Sequence, residues 1–240
     1  MKMTRKLIPA FVMLIVSAIM LSTASYAWFA NSTTVTATEM SVKANTNVKF
    51  LQISSDGSTF GPSASATNKS DDDLNLVTAI VNKEAKTIEW KTASAADPSK
   101  PDANTDGLQS ADIVKGNFAL TNTFHVKMSS ETASLQSLKL TGVAVNNAES
   151  VLNDALRVLV IAMGDNKEVQ GIQVWDNESR ALIADSSTDS LVATIANGDV
   201  YTLVVYIYYD GTDDDAFTNN VTATGANVDA QSVTLTFSGT

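Results

Sequence analysis

The sequence predicts an all-β chain, a jelly-roll-like β-sandwich with long polar loop insertions and at most one or two short helices. Two observations carry this. Apolar residues alternate with a period of two: Phe124, Val126 and Met128 interleave with Thr123, His125 and Lys127, and Val233, Leu235 and Phe237 with Ser232, Thr234 and Thr236. Thr, Val, Ser, Asn and Ala dominate from Trp28 onward, and helical periodicity is nearly missing. Strands of the first kind bury one face and wet the other.

Composition narrows the function classes. The chain has 240 residues, 44% of them apolar and 18% charged, which supports a buried core and argues against wholesale disorder. Lys and Arg number 16 against 26 Asp and Glu. Such acidity repels phosphate backbones and anionic lipid heads, so no nucleic-acid partner is expected. Without cysteine there are no disulfides, thiolate zinc sites or Cys nucleophiles. A single histidine, His125, excludes a His-pair metal site and an H-E-x-x-H protease.

The N-terminal residues 1–27 read as a signal peptide. Lys2, Arg5 and Lys6 precede an apolar run from Leu7 to Leu21, and the small residues Ser25 and Ala27 stand at −3 and −1 of a cleavage site before Trp28. A retained anchor is the competing reading, since no charge occurs between Leu7 and Asn31. Pro9 and the small residues favour cleavage. Either way the remainder is expected outside the cytoplasm, secreted to a matrix or cell surface. It would meet a signal peptidase during export, and the membrane only through this segment.

Residues 28–38 form an N-terminal extension. Its apolar positions Val35 and Ala37 are odd-numbered, whereas those at Met40 and Val42 are even. A one-residue slip turns a strand over, so 28–37 and 40–43 cannot be one flat strand, and a bulge near Thr38 accounts for the slip. Residues 39–240 read as a single sandwich domain. Its strand candidates are 47–54, 76–81, 87–91, 123–128, 135–145, 157–163, 172–176, 191–195, 200–209 and 233–237. The segments 157–163 and 200–209 are apolar on both faces, as in the middle of a sheet. Only 149–156 looks helical. Polar stretches at 54–73 and 92–112 hold Pro62, Pro98 and Pro101 and read as surface loops.

Candidate chemistry is sparse. Asp102, Asn104 and Asp106 before Gly107 make the first half of a calcium loop. Position 12 of that loop is Ile113, and the nearest acid, Asp112, comes one place early. Turns use the same residue types, so a plain solvated loop stands beside calcium binding. The runs Asp71–Asp73 and Asp210–Asp215 read as solvated turns. Ser and Thr abound without a G-x-S-x-G elbow, and His125 falls on the wet face of its strand. Trp90, Trp175 and the tyrosines 201, 206, 208 and 209 have strand spacing, which suits core packing better than a sugar platform. Asn31 and Asn220 open N-glycosylation patterns.

The junction Ser25-Tyr26-Ala27-Trp28-Phe29, followed by Val35-Thr36-Ala37-Thr38, resembles the start of the TasA/camelysin-like secreted proteins. Leu156-Arg157-Val158-Leu159-Val160, the run from Val205 to Asp213, and Val233-Thr234-Leu235-Thr236-Phe237 are similar to the BsaA-type branch of that family. The resemblance implies a β-sandwich subunit of a biofilm-matrix fibre, processed by a dedicated signal peptidase and without a catalytic site. It also implies a break, rather than a bulge, between a mobile extension and the first core strand. That extension becomes a candidate donor strand whose Trp28, Phe29, Val35 and Ala37 fill a neighbour's groove, giving a head-to-tail homopolymer. No residue here supports the protease activity attached to the camelysin name. A monomeric surface module that binds calcium or carbohydrate is the alternative.

Overall fold

The computed structural model describes residues 40–46, 51–68, 74–92, 108, 110–129, 134–146, 153–216 and 232–240, all within the unit Thr34–Thr240. Among the described residues thirteen strands occur in this order: β1 (Met40–Thr46), β2 (Leu51–Ser54), β3 (Ser63–Asn68), β4 (Thr78–Asn82), β5 (Thr87–Lys91), β6 (Leu120–Met128), β7 (Ser134–Val145), β8 (Leu156–Met163), β9 (Val169–Asp176), β10 (Ala181–Leu182), β11 (Val192–Ala196), β12 (Val200–Tyr209) and β13 (Ser232–Ser238). A short helix, α1 (Ser110–Lys115), lies between β5 and β6.

Two sheets form the sandwich. The five-stranded sheet runs β11-β7-β13-β1-β3, and the six-stranded sheet runs β10-β9-β8-β12-β6-β2. The chain crosses between the sheets at each step from β1 to β3, from β6 to β8 and from β10 to β13, which is the alternation of a jelly roll. Alternate residues of both sheets meet in one core: Phe124 and Val126 of β6, Leu203, Val205 and Ile207 of β12, and Leu138, Leu235 and Phe237 opposite.

The six-stranded sheet is covered on its other face as well. The antiparallel hairpin β4-β5 and α1 lie over it, and Val77, Trp90 and Ile113 pack there on Leu159, Val174, Tyr206 and Tyr208. The Trp90 ring meets Tyr208 edge-on at 5.2 Å and Tyr206 at 5.5 Å. This third layer is why β8 and β12 carry apolar residues on both faces. It holds Trp90, Tyr206 and Tyr208 in core packing, while Trp175 and Tyr209 belong to the core between the sheets and Tyr201 packs partly buried against it.

Three local expectations are corrected. β3 lies inside the stretch 54–73 expected as loop: its Ser-Ala-Ser-Ala-Thr-Asn alternates too weakly in size to signal a strand, yet Ala64 and Ala66 face the core. α1 likewise interrupts the expected loop 92–112. Of the helix expected over 149–156, residues 149–152 lie outside the described residues; Asn153 has 3-10 conformation, Asp154 and Ala155 form a turn, and Leu156 already opens β8. β8 wins because Leu156 and its successors pair with β9 and β12.

At the edge of the six-stranded sheet, side chains replace a missing strand. Beyond the two-residue β10, the Ile172 N–H donates to Thr188 Oγ1 at 3.0 Å and the Val174 N–H to Ser187 Oγ at 3.0 Å. Backbone bonds from Ile183 to Val174 and from Thr188 to Ile172 complete the seal. Gly171 allows this close approach, since a Cβ there would press on Ser190 O and stand 2.6 Å from Leu191 O.

Candidate functional site

The sites named from sequence fall largely outside the described residues. Ser25, Ala27 and Trp28 of the cleavage site, Phe29, Val35 and Ala37 of the donor segment, and Asp102, Asn104 and Asp106 of the calcium loop all do. So do Asp71–Asp73, Asn31 and Asn220. Asp112 is described: it is exposed in the first turn of α1. Among the described residues no group of three or more His, Cys, Asp or Glu is arranged to hold a metal ion.

Two features of the fold have geometry that points beyond packing. The first is the slot of β1. This strand is paired on both sides, antiparallel to β3 with Ser41 opposite Thr67, and parallel to β13 with Val42 opposite Val233. It is the one parallel pairing among the described strands. No hairpin joins β1 to either neighbour: the chain passes next into β2 of the other sheet, and β13 is the last strand. Taking β1 away leaves β3 and β13 antiparallel across an open slot one strand wide, flanked by two unpaired edges.

The second is a cluster around Arg157 at the start of β8. Its side chain is 8% exposed, and Nη1 lies 2.8 Å from Asp176 Oδ1 while Nη2 donates to Asp213 Oδ2 at 2.5 Å. Nη1 also donates to the Asp154 carbonyl at 2.7 Å. Nε, 3.9 Å from Asp210 Oδ2, is buried without a hydrogen-bond acceptor. Asp210 in turn accepts from the Thr78 hydroxyl at 2.6 Å, which ties the β4-β5 hairpin to the end of β12. Asp210 and Asp213 are therefore ion-pair partners rather than the solvated turn expected from DGTDDD. Sequence gave no sign of this, because Arg157 sits inside an apolar run and its partners come from two distant strand ends.

Charge in this region is unbalanced. The Glu178 carboxyl is pushed above its ordinary 4.5, first by Asp213 and then by Asp176, with Asp215 and Asp154 adding to it. Burial and then Asp213 push Asp215 up as well. Elsewhere, Asp56 is held well below the usual carboxylate range by the Ser54 hydroxyl and by the Thr59 and Ser58 N–H groups. Burial raises the Tyr208 and Tyr209 hydroxyls.

His125 is half-buried on the outer face of β6, with Nδ1 3.4 Å from Thr202 Oγ1. Its ring lies against Gly57 of the loop after β2, and beside it Lys127 sits over the Phe60 ring at 4.1 Å. This is a loop fastening: among the described residues no nucleophile–base–acid relay includes the ring. An open depression of about 700 Å³ beside the β4-β5 hairpin is lined by Ile80, Ile88, Lys83, Glu84, Glu89 and Asp185.

Compared with protein-family models, with curated proteins and with solved structures, the chain matches none.

Proposed function

We propose that this chain is a secreted structural subunit that polymerises into an extracellular fibre, each copy donating its N-terminal strand to the five-stranded sheet of the next. The observation that supports it is the position of β1, held between two strands with no hairpin to either. Its departure leaves the pairings β11-β7 and β7-β13 intact and opens one slot between β13 and β3. An identical strand from another copy satisfies the same two edges, so exchange conserves the hydrogen bonds and alters only which copy supplies them. Because the giver and the receiver use different surfaces, the contact is heterologous and propagates as a filament.

Export through residues 1–27, with cleavage after Ala27 by a signal peptidase, frees the N-terminus for donation. The segment 28–38 precedes β1 and is donated with it, with Trp28, Phe29, Val35 and Ala37 as its apolar contacts. N-terminal sequencing of the secreted protein is expected to begin at Trp28; Met1 or Lys2 retained on membrane-bound material is the contrary result.

A reversible lock tests donation itself. The chain has no cysteine, so Ser41→Cys with Thr67→Cys places one disulfide between β1 and β3 at directly opposed positions. The oxidised protein is expected to stay monomeric in sedimentation and electron microscopy, and to form filaments once reduced. Filament growth at equal rates in both states overturns donation of β1. A monomer under both conditions, and in the unsubstituted protein, puts a surface binding module first.

A further inference from the structure

We propose that the outer face of the five-stranded sheet is a lateral contact between copies of this chain, receiving the acidic end of the six-stranded sheet of a second copy. None of the five strands β1, β3, β7, β11 and β13 contains an Asp or Glu, in a chain that carries 26 of them. They contain two lysines: Lys139, exposed on β7, and Lys43, in register with Thr234 and Ser65. Lys139 has no ion-pair partner among the described residues. Around it the outward positions are short and uncharged, among them Thr141, Thr234, Thr236 and Ser65, and Ala144 and Gly142 leave the surface low.

The opposite charge is concentrated elsewhere. Asp154, Asp176, Glu178, Asp213 and Asp215 gather where β8 begins and β9 and β12 end, with Arg157 the one cation bound among them. Two molecules of net charge −10 repel in most orientations. The orientation that brings carboxylates onto a carboxylate-free, lysine-bearing face is the one in which Coulomb attraction replaces repulsion. The short Ser, Thr, Ala and Gly side chains around Lys139 let the partner approach closely, and they lose little rotamer entropy. The contact joins two different patches, so it propagates from copy to copy. It uses the outer face of the sheet, β1 included, but not the backbone edges of the β1 slot, and does not rest on strand donation.

Sedimentation of the purified full chain at low and high ionic strength tests it, because the Debye length falls from about 30 Å at 0.01 M to about 3 Å at 1 M. The wild type is expected to associate at low salt and to dissociate at high salt. Lys139→Glu and Glu178→Lys, both at exposed positions, are each expected to weaken that association by about tenfold or more. The double variant, with both charges exchanged, is expected to recover most of it. Association without salt dependence, a Lys139→Glu protein that associates like the wild type, or a double variant no tighter than the singles overturns the proposal. Strand exchange joins backbone to backbone and is not reversed by salt, so its success or failure is read separately, from filaments at high ionic strength.

Discussion

Arg157 opens the run 157–163, which reads from sequence as apolar on both faces and central in a sheet. Its guanidinium is instead enclosed by Asp176, Asp213 and Asp210. Removing one partner of a buried ion pair leaves the other charges uncompensated, so Arg157→Met is expected to cost about 3–5 kcal/mol in urea unfolding. Asp213→Asn keeps a hydrogen-bond acceptor and the second carboxylate, and is expected to cost less. Two carboxyls, one in the loop after β2 and one beside this cluster, make opposite pH contributions. Asp56 titrates lower in the folded protein than in the unfolded chain, so its stabilisation is present above the unfolded value and fades as pH falls below it. Glu178 titrates above 4.5 when folded, so the folded state binds the extra proton between that value and its raised one. Its contribution is favourable in acid and lost as pH rises through the raised value. Glu178→Gln is therefore expected to raise the melting temperature at neutral pH and to have no effect below about pH 4. Thermal melts of both proteins across that range decide the matter, and an equal gain at every pH contradicts the charge-crowding account. The pairings of Arg157 and the crowding of Glu178 were not legible in the sequence, since they depend on where β8, β9 and β12 end relative to one another.

Among elements, strands with an apolar or β-rich signal were legible, down to the five-residue β5, and those without one were not. β6, β12 and β13 announce themselves by alternation or by unbroken β-branched and aromatic residues. β3 and α1 lack that signal and are stabilised by what they lie against: β3 by β1, and α1 by burial of Ile113 against the outer face of the six-stranded sheet. The double-sided burial of β8 and β12 was visible as composition, whereas its cause, the β4-β5 hairpin as a third layer, was not. The sealed edge of β9 depends on one glycine. Gly171→Ala would set a methyl group against the carbonyls of Ser190 and Leu191, so the 183–190 segment must retreat and release the Thr188 and Ser187 bonds. A loss of about 1–3 kcal/mol is expected, as for other overpacked sites. Hydrogen exchange should quicken first at the Ile172 and Val174 amides. Unchanged protection there would mean the edge is held by β10 alone.

Over the whole molecule, the phase slip between Val35/Ala37 and Met40/Val42 was legible in the sequence as a bulge or a break near Thr38; its N-terminal side lies outside the described residues, and β1 is described over Met40–Thr46. The parallel insertion of that strand between β3 and β13 was not legible, because partner choice within a sheet depends on edges supplied by residues 63–68 and 232–238. The insertion also alters what truncation does. A chain beginning at Met40 retains β1 and is expected to fold as a monomer, with filament growth slowed by loss of the 28–38 contacts. A chain beginning after Thr46 lacks the strand that separates β3 from β13, and two facing rows of backbone N–H and C=O groups are left without partners. That protein is expected to aggregate or to refold poorly alone, and to become soluble and stable when a synthetic peptide of residues 28–46 is added during refolding. The rise in melting temperature should grow with the logarithm of peptide concentration, as for any ligand that binds only the folded state. The same peptide added to the full-length protein should slow filament growth by occupying vacated slots, and Val42→Pro in the peptide should abolish both effects, since proline removes a ladder donor within a centrally paired strand. A truncated chain that folds as well without the peptide as with it would mean that β3 and β13 close on each other, leaving no slot to receive a neighbour's strand.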